Sequence, residues 1–136
     1  MRKLLFACAA VALLGCGGDS TGPAASAEGT WNLQTVDGQP LPFTVLLNSA
    51  PVYRLEIVSD QLVANSDGTY VENGTIRETQ GTTVTESSEQ DTGTWTQHGN
   101  QVDFTSNADA SVATATVSGN QISINTDGVV GIYVRQ

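Results

Sequence analysis

Lysine is almost absent from this sequence, and cationic side chains are scarce overall. Lys3 is the only lysine among 136 residues, and five cationic side chains stand against 14 acidic ones, giving a net charge of −9. A nucleic-acid-binding protein needs clustered lysine and arginine to neutralise phosphates, so the composition excludes that class. The acidity is explained either by solubility or by a surface for a cationic partner.

Histidine and cysteine are too few for common catalytic or metal sites. His98 is the only histidine and flanks a turn, and the two cysteines lie near the N-terminus. No zinc-ligand cluster, no calcium loop and no Ser-His-Asp set is present, so we expect no metal, no cofactor and no catalytic residue. One enzyme reading stays open, because acids on neighbouring strands can converge for glycoside hydrolysis. The leading expectation is a protein that is not an enzyme.

Long apolar runs are also missing. The longest, residues 4–14, has 11 residues and follows Arg2 and Lys3. A membrane-spanning helix needs about 20 residues, whereas a secretory signal peptide has a run of this length. The run ends in Leu13-Leu14-Gly15-Cys16, which resembles the lipobox of bacterial lipoproteins. The alternative is an ordinary signal peptide that contains a cysteine.

The lipobox resemblance implies cleavage before Cys16 and a diacylglycerol on that cysteine. The predicted segments are then a signal peptide (1–15), an acylated cysteine with a flexible tether (16–27) and one domain (28–136). The processed chain keeps three arginines against 14 acids, a net charge of −11, and has one cysteine, so no disulfide forms within it. The resemblance implies a lipid-anchored protein of the cell envelope, and Gly17 resembles an outer-membrane address.

The domain sequence predicts an all-β fold. Short runs rich in Val, Ile, Thr, Tyr and Trp alternate with polar residues and are interrupted by Gly, Asn and Asp. Nine strands are predicted, over residues 30–36, 52–58, 61–65, 69–79, 83–97, 101–106, 110–118, 121–126 and 129–135. Short turns and no helices favour an up-and-down antiparallel meander that closes into a barrel of eight to ten strands.

Two connecting segments are unusual. Residues 37–51 are apolar, which predicts burial as a plug at one end of the sheet or use as a lid over a cavity. Residues 82–91 are polar on both alternating faces and are expected to project beyond the core. Residues 94–105 and 114–125 repeat one strand–turn–strand unit, which is an architectural feature.

The domain resembles small bacterial lipocalin-like lipoproteins. The resemblance rests on Gly29-Thr30-Trp31 after the tether, 37–42, 67–70, 93–95 and the closing 132–135. It implies a barrel signature of Gly29, Trp31 and Arg135, in which the arginine of the last strand stacks on the tryptophan of the first. Other Gly-Thr pairs, such as those at Gly74 and Gly93, are interpreted as strand starts.

The resemblance favours an envelope lipoprotein that binds or carries a small apolar ligand. An eight-stranded barrel either fills with side chains or holds one small ligand, and the sequence leaves both open. Candidate ligand-lining or lid residues are Leu41, Phe43, Leu46, Leu47, Tyr53, Tyr70, Trp95 and Phe104. The alternative is an acidic protein-interaction module, such as an inhibitor of a basic secreted enzyme. A monomer is expected.

Overall fold

The computed structural model describes residues 24–136. The predicted signal peptide, Cys16 and most of the tether lie outside these residues. Within 24–136, no helix is long and apolar enough to cross a membrane. The described elements are ten strands: β1 (Gly29–Val36), β2 (Gln39–Pro40), β3 (Phe43–Ser49), β4 (Val52–Ala64), β5 (Thr69–Gln80), β6 (Thr83–His98), β7 (Gln101–Ser106), β8 (Val112–Ser118), β9 (Gln121–Thr126) and β10 (Val129–Arg135).

The strands form an antiparallel meander that closes on itself. Each strand from β4 to β10 pairs with the next, and β1 pairs with β10 on one edge and with β4 on the other. These pairings give an eight-stranded closed barrel, with β2 and β3 as additional strands. The predicted fold class is therefore confirmed, and closure removes the unpaired edges of an open sheet.

Strand number and boundaries differ from the sequence prediction in two places. The predicted strands at 52–58 and 61–65 are one strand, β4, whose pairing with β5 shifts register between Ile57 and Ser59. The segment predicted as one long connection contains β2 and β3. Gly74 and Gly93 lie inside β5 and β6, so their interpretation as strand starts is wrong, whereas Gly29 begins β1.

One end of the barrel, the closed end, is filled with side chains. Its largest fully buried side chains are Trp31, Leu62, Val102, Val117 and Ile122. Burying each such side chain stabilises the fold by about 1.5–3 kcal/mol. These residues come from the start of β1, the end of β4 and the hairpins β6–β7 and β8–β9, so the repeated sequence unit supplies much of this core.

The chain preceding β1 covers the closed end. Ala27 is fully buried, and its backbone N–H donates to Gln97 Oε1 at 2.9 Å. The Trp31 indole N–H donates to the Ala27 carbonyl at 2.8 Å, and Gln97 Nε2 donates to the Ala25 carbonyl at 2.7 Å. The end of the predicted tether therefore contacts the barrel at its closed end.

At the other end, β3 and the adjoining parts of β4, β5 and β6 extend beyond the barrel. We call this extension the projection. Val45, Leu46 and Leu47 in it are 53%, 52% and 68% exposed, so the predicted burial of this segment as a plug is wrong for them. Leu46 and Leu47 pair with β4, and Val45 lies at the register shift between Thr44 and Leu46. Of residues 82–91, which were predicted to project beyond the core, residues 82–90 are exposed, whereas Asp91 is half-buried.

Candidate functional site

The barrel contains a cavity at the end opposite Trp31, which we call the open end. Its volume is about 230 Å³. Apolar side chains form much of its wall: Leu33, Val36, Ile57, Leu62, Phe104, Ala113, Ile124 and Val129. Since β1 enters at the closed end, the cavity lies at the far end of the barrel from the N-terminal segment.

Two of the predicted ligand-lining residues face this cavity. Tyr70 and Phe104 lie in its wall, with their rings edge to face and their centroids 5.4 Å apart. Trp95 does not line the cavity. Its indole N–H donates to the Asn65 carbonyl at 3.0 Å. The contact holds Trp95 against the turn that precedes β5.

The remaining residues that were predicted to line a cavity do not line this one. Leu41 and Phe43 are half-buried and pack against the margin of the core. Leu46 and Leu47 are exposed on β3, and Tyr53 is half-buried on β4, where it pairs with Gln80 of β5. The apolar segment therefore borders the open end and is not part of the cavity wall.

Three carboxylates enter the cavity wall from three consecutive strands. Asp60 comes from β4, Glu72 from β5 and Asp91 from β6, and we call them the acid cluster. Glu72 and Asp91 are direct cross-strand partners, and Glu72 also pairs with Leu62, two residues from Asp60. These acids were not among the residues predicted from the sequence. Alternation does place Glu72 on the same face of β5 as Tyr70, which was predicted to line the cavity.

Hydroxyl groups are the hydrogen-bond donors to this cluster. The Tyr70 hydroxyl donates to Asp91 Oδ2 at 2.6 Å, and the Ser106 hydroxyl donates to Asp91 Oδ1 at 2.8 Å. The Tyr133 hydroxyl donates to Glu72 Oε1 at 3.0 Å. Asp60 Oδ1 is buried and has no hydrogen-bond partner in the described part of the chain.

Burial and the neighbouring charge of Glu72 raise the pKa of Asp60 to about 8. A carboxyl group that is shielded from water and close to a second carboxylate holds its proton more tightly. Burial, followed by the charges of Glu72 and Asp60, also raises the pKa of Tyr133 well above its ordinary value. At neutral pH the cavity therefore presents hydrogen-bond donors as well as negative charge.

The arginines of the described chain are engaged elsewhere. Arg77 lies 2.9 Å from Glu86 and 3.9 Å from Glu56, and Arg54 lies 3.3 Å from Glu56, all in the projection. Over residues 24–136 there is no group of three His, Cys, Asp or Glu side chains arranged to hold a metal ion. The acid cluster is thus balanced neither by an arginine nor by a recognisable metal site.

The third arginine belongs to the closed end. Arg135 pairs with Trp31 across β10 and β1, and its guanidinium carbon lies 4.1 Å from the centroid of the Trp31 ring. It also donates to the carbonyls of Glu28 and Ser26, each at 2.6 Å. The stack predicted from the sequence is present, and it fastens the N-terminal segment to the barrel. Its position away from the cavity gives it a structural role.

The remaining sequence candidate, His98, ends β6 and is exposed beside the turn at Gly99. No protein-family model, no curated protein and no solved structure matches the chain. The barrel and the chemistry of its cavity are therefore the features that indicate a function.

Proposed function

We propose that this protein is a lipid-anchored cell-envelope lipoprotein whose lipocalin-like barrel binds or carries a small molecule at its open end. The observation that carries the proposal is a barrel filled at one end and hollow at the other. Ligand sites are concave and mostly apolar, with a few polar groups that orient the ligand. The cavity has this composition.

The location of the N-terminal segment fits an anchored binding protein. Residues 25–28 are held at the closed end by Gln97, Trp31 and Arg135. A lipid on Cys16 would therefore tether the barrel by the end that has no cavity. The open end would then face the aqueous side of the outer membrane, which we propose as the location of the protein.

Acids from neighbouring strands do meet in the cavity, as the glycoside-hydrolysis interpretation requires, and we interpret them as part of a binding site. The acid cluster offers carboxylates and hydroxyls, and His98 lies away from it on an exposed turn. We therefore propose a binding function and no enzymatic one. The alternative, an acidic interaction module, would be favoured by a filled barrel with its acids clustered on an exposed rim, whereas this barrel is hollow at its open end. Asp60, Glu72 and Asp91 lie inside the barrel instead.

Native mass spectrometry of the protein purified from its own envelope tests both parts of the proposal. We expect the mass of residues 16–136 with acyl chains, together with an additional small molecule that is released on unfolding. A protein that begins at another residue, or that carries no acyl chain, would contradict the anchor. Absence of any retained small molecule would contradict the ligand function.

Two tryptophan substitutions on β8 give a matched comparison for the ligand. Ala113 lines the cavity, so Ala113→Trp is expected to fill it and abolish retention of the small molecule. Val112 is 58% exposed on the outer face of the same strand, so Val112→Trp is expected to leave retention unchanged. Equal retention by the two variants would place the ligand outside the barrel.

A further inference from the structure

The acid cluster has an unusual charge balance for the inside of a small barrel. Asp60, Glu72 and Asp91 share one cavity, and the three arginines of the described chain are bound to other groups. All three are half-buried. Carboxylates partly withdrawn from water are favoured by a cation or by several hydrogen-bond donors, because removing their charge from water is costly. Here the hydrogen bonds come from three hydroxyls.

Asp60 is the least satisfied member of the cluster. Its Oδ1 atom is buried without a hydrogen-bond partner, whereas both oxygens of Asp91 accept hydrogen bonds. A buried acceptor left unpaired is unfavourable, so native structures rarely retain one without a reason. The atom adjoins the cavity, where a donor brought by a ligand can reach it.

We propose that the ligand of this cavity is a small organic cation, a protonated amine on an apolar body, whose ammonium group is held by Asp60 and Glu72, with Asp91 in the same wall. The inference rests on the proposed function and specifies the ligand that this site selects. An ammonium group supplies three donors and the missing positive charge. It therefore satisfies the open acceptor of Asp60 and takes the place of the proton that Asp60 otherwise holds beside Glu72.

The shape of the site fits such a molecule better than a bare metal ion. Beside the cavity lies a second space of about 300 Å³, and Asp60, Glu72 and Asp91 border both. The acids thus form the polar centre of a larger hollow whose other walls include Phe104 and Leu62. The aromatic rings of Tyr70 and Phe104 add favourable surfaces for a cation with hydrocarbon substituents.

Protonation of Asp60 makes binding depend on pH. The titratable groups that face it are Glu72 from β5, Asp91 from β6 and Tyr133 from β10, while Glu89 borders the adjoining space. None of these groups is cationic. Asp60 keeps a proton up to about pH 8, and an ammonium group favours its ionised form, so binding below that pH releases a proton. Affinity for an amine is therefore expected to rise between pH 6 and pH 8.

Isothermal titration calorimetry with three probes of matched size tests the proposal on the unacylated chain of residues 16–136. The probes are 2-phenylethylamine, 2-phenylethanol and 3-phenylpropionate. We expect the amine to bind at least tenfold more tightly than the alcohol at pH 8, and the carboxylate not to bind. Between pH 6 and pH 8 the amine should bind several-fold more tightly, with proton release visible as a dependence on buffer ionisation enthalpy.

Amide substitutions assign the effect to the cluster. The double variant Asp60→Asn, Glu72→Gln should lose at least tenfold in amine affinity and keep its affinity for the alcohol. Glu78 is exposed six residues farther along β5 and borders neither space, so Glu78→Gln removes one charge from the same strand as a control. It should leave amine binding unchanged, and circular dichroism will show that the variants are folded.

Each contrary result separates the inference from the proposed function. Equal affinity for amine and alcohol overturns the cation and leaves the binding cavity standing. Calcium binding that displaces the amine overturns the organic cation in favour of a metal site. Failure of all three probes also overturns the inference, whereas the ligand function is decided by the small molecule retained in native mass spectrometry.

Discussion

Gly93, in the second Gly-Thr-Trp of the chain, shows why a repeated motif can have different physical origins. It is buried in the middle of β6, between Tyr70 on β5 and Ser106 on β7. A Cβ atom there would collide with the Thr105 carbonyl oxygen and lie 2.6 Å from Tyr70 Cε1. The residue is therefore a glycine because backbone and ring approach too closely for a side chain.

Gly93→Ala is expected to destabilise the protein by about 2–4 kcal/mol, since a well-packed site cannot take an added methyl group without displacement of its neighbours. Gly74→Ala is the control, because a Cβ there meets its nearest atom at 3.8 Å. Its effect should stay within about 1 kcal/mol. Urea unfolding measures both free energies, and equal effects would refute the steric account.

At the closed end, Arg135→Met should destabilise the protein by about 2–4 kcal/mol. The substitution removes a stack on Trp31 and two charged hydrogen bonds to the carbonyls of Ser26 and Glu28. Hydrogen exchange should also show loss of protection at Ala27, whose amide is bonded to Gln97. Unchanged stability and protection would mean that the arginine does not hold the N-terminal segment.

At the scale of the element, the projection is held by charges paired across three strands. Arg77 of β5 is the cross-strand partner of Glu56 on β4 and of Glu86 on β6. Glu56 is 7% exposed, and its Oε2 atom lies 3.9 Å from Arg77 and 3.3 Å from Arg54. This row of charged side chains across β4, β5 and β6 explains why the sheet stays formed outside the barrel, where few apolar side chains are buried.

Arg77→Met should destabilise the projection by about 1–2 kcal/mol, because Glu56 and Glu86 both lose a cationic partner. Arg54→Met should have a smaller effect, since its side chain is 45% exposed. Hydrogen exchange is the suitable measurement, with faster exchange expected at residues 76–86 and unchanged exchange in the closed end. If the substitution changes the exchange rates equally along all of β5, the ion pairs of Arg77 do not stabilise the projection locally.

The element boundaries that the sequence missed are informative for the site. Ser59 and Asp60 interrupt an apolar pattern, so they resemble a break between two strands. In the structure they lie inside β4 at the register shift, and Asp60 faces the cavity. A polar residue on an inward face resembles a turn in the local pattern, and only its position beside Glu72 and Asp91 in the cavity wall shows that it belongs to a site.

At the scale of the whole molecule, closure of the barrel was predictable because alternation and short turns specify an antiparallel meander. The Trp31–Arg135 contact was predicted from the resemblance to lipocalin-like barrels, although the nine predicted strands left open whether the first and last strands run antiparallel, as β1 and β10 do. The presence and position of a cavity inside the barrel were not predictable. Whether a barrel is filled or hollow depends on side-chain volumes summed over eight strands, which the pattern of one strand does not reveal.

Stability should fall as the pH rises from about 4 to about 8. The pKa of Asp60 is raised from its ordinary 3.8 to about 8, so in this range the folded state keeps a proton that the unfolded state has lost. The free energy of unfolding then decreases by up to about 1.4 kcal/mol per pH unit and levels off above pH 8.

The lowered pKa values of Asp67 and Asp109 act in the opposite sense, and only below about pH 4. Urea unfolding of the wild-type protein and Asp60→Asn at pH 5.5, 7 and 8.5 checks the prediction. The variant should lose the pH dependence over this range. Parallel curves would show that Asp60 is not the group responsible.

The most direct test of the account is a heteronuclear NMR titration of ¹⁵N-labelled residues 16–136 with 2-phenylethylamine, which locates the bound molecule. We predict saturable shifts at Asp60, Glu72, Asp91 and Phe104, with the amides of Trp31 and Ile122 at the closed end unchanged. Saturable shifts confined to β3 or the outer face of the barrel, with the cavity amides unaffected, would contradict the claim that the open end of this barrel is a ligand site.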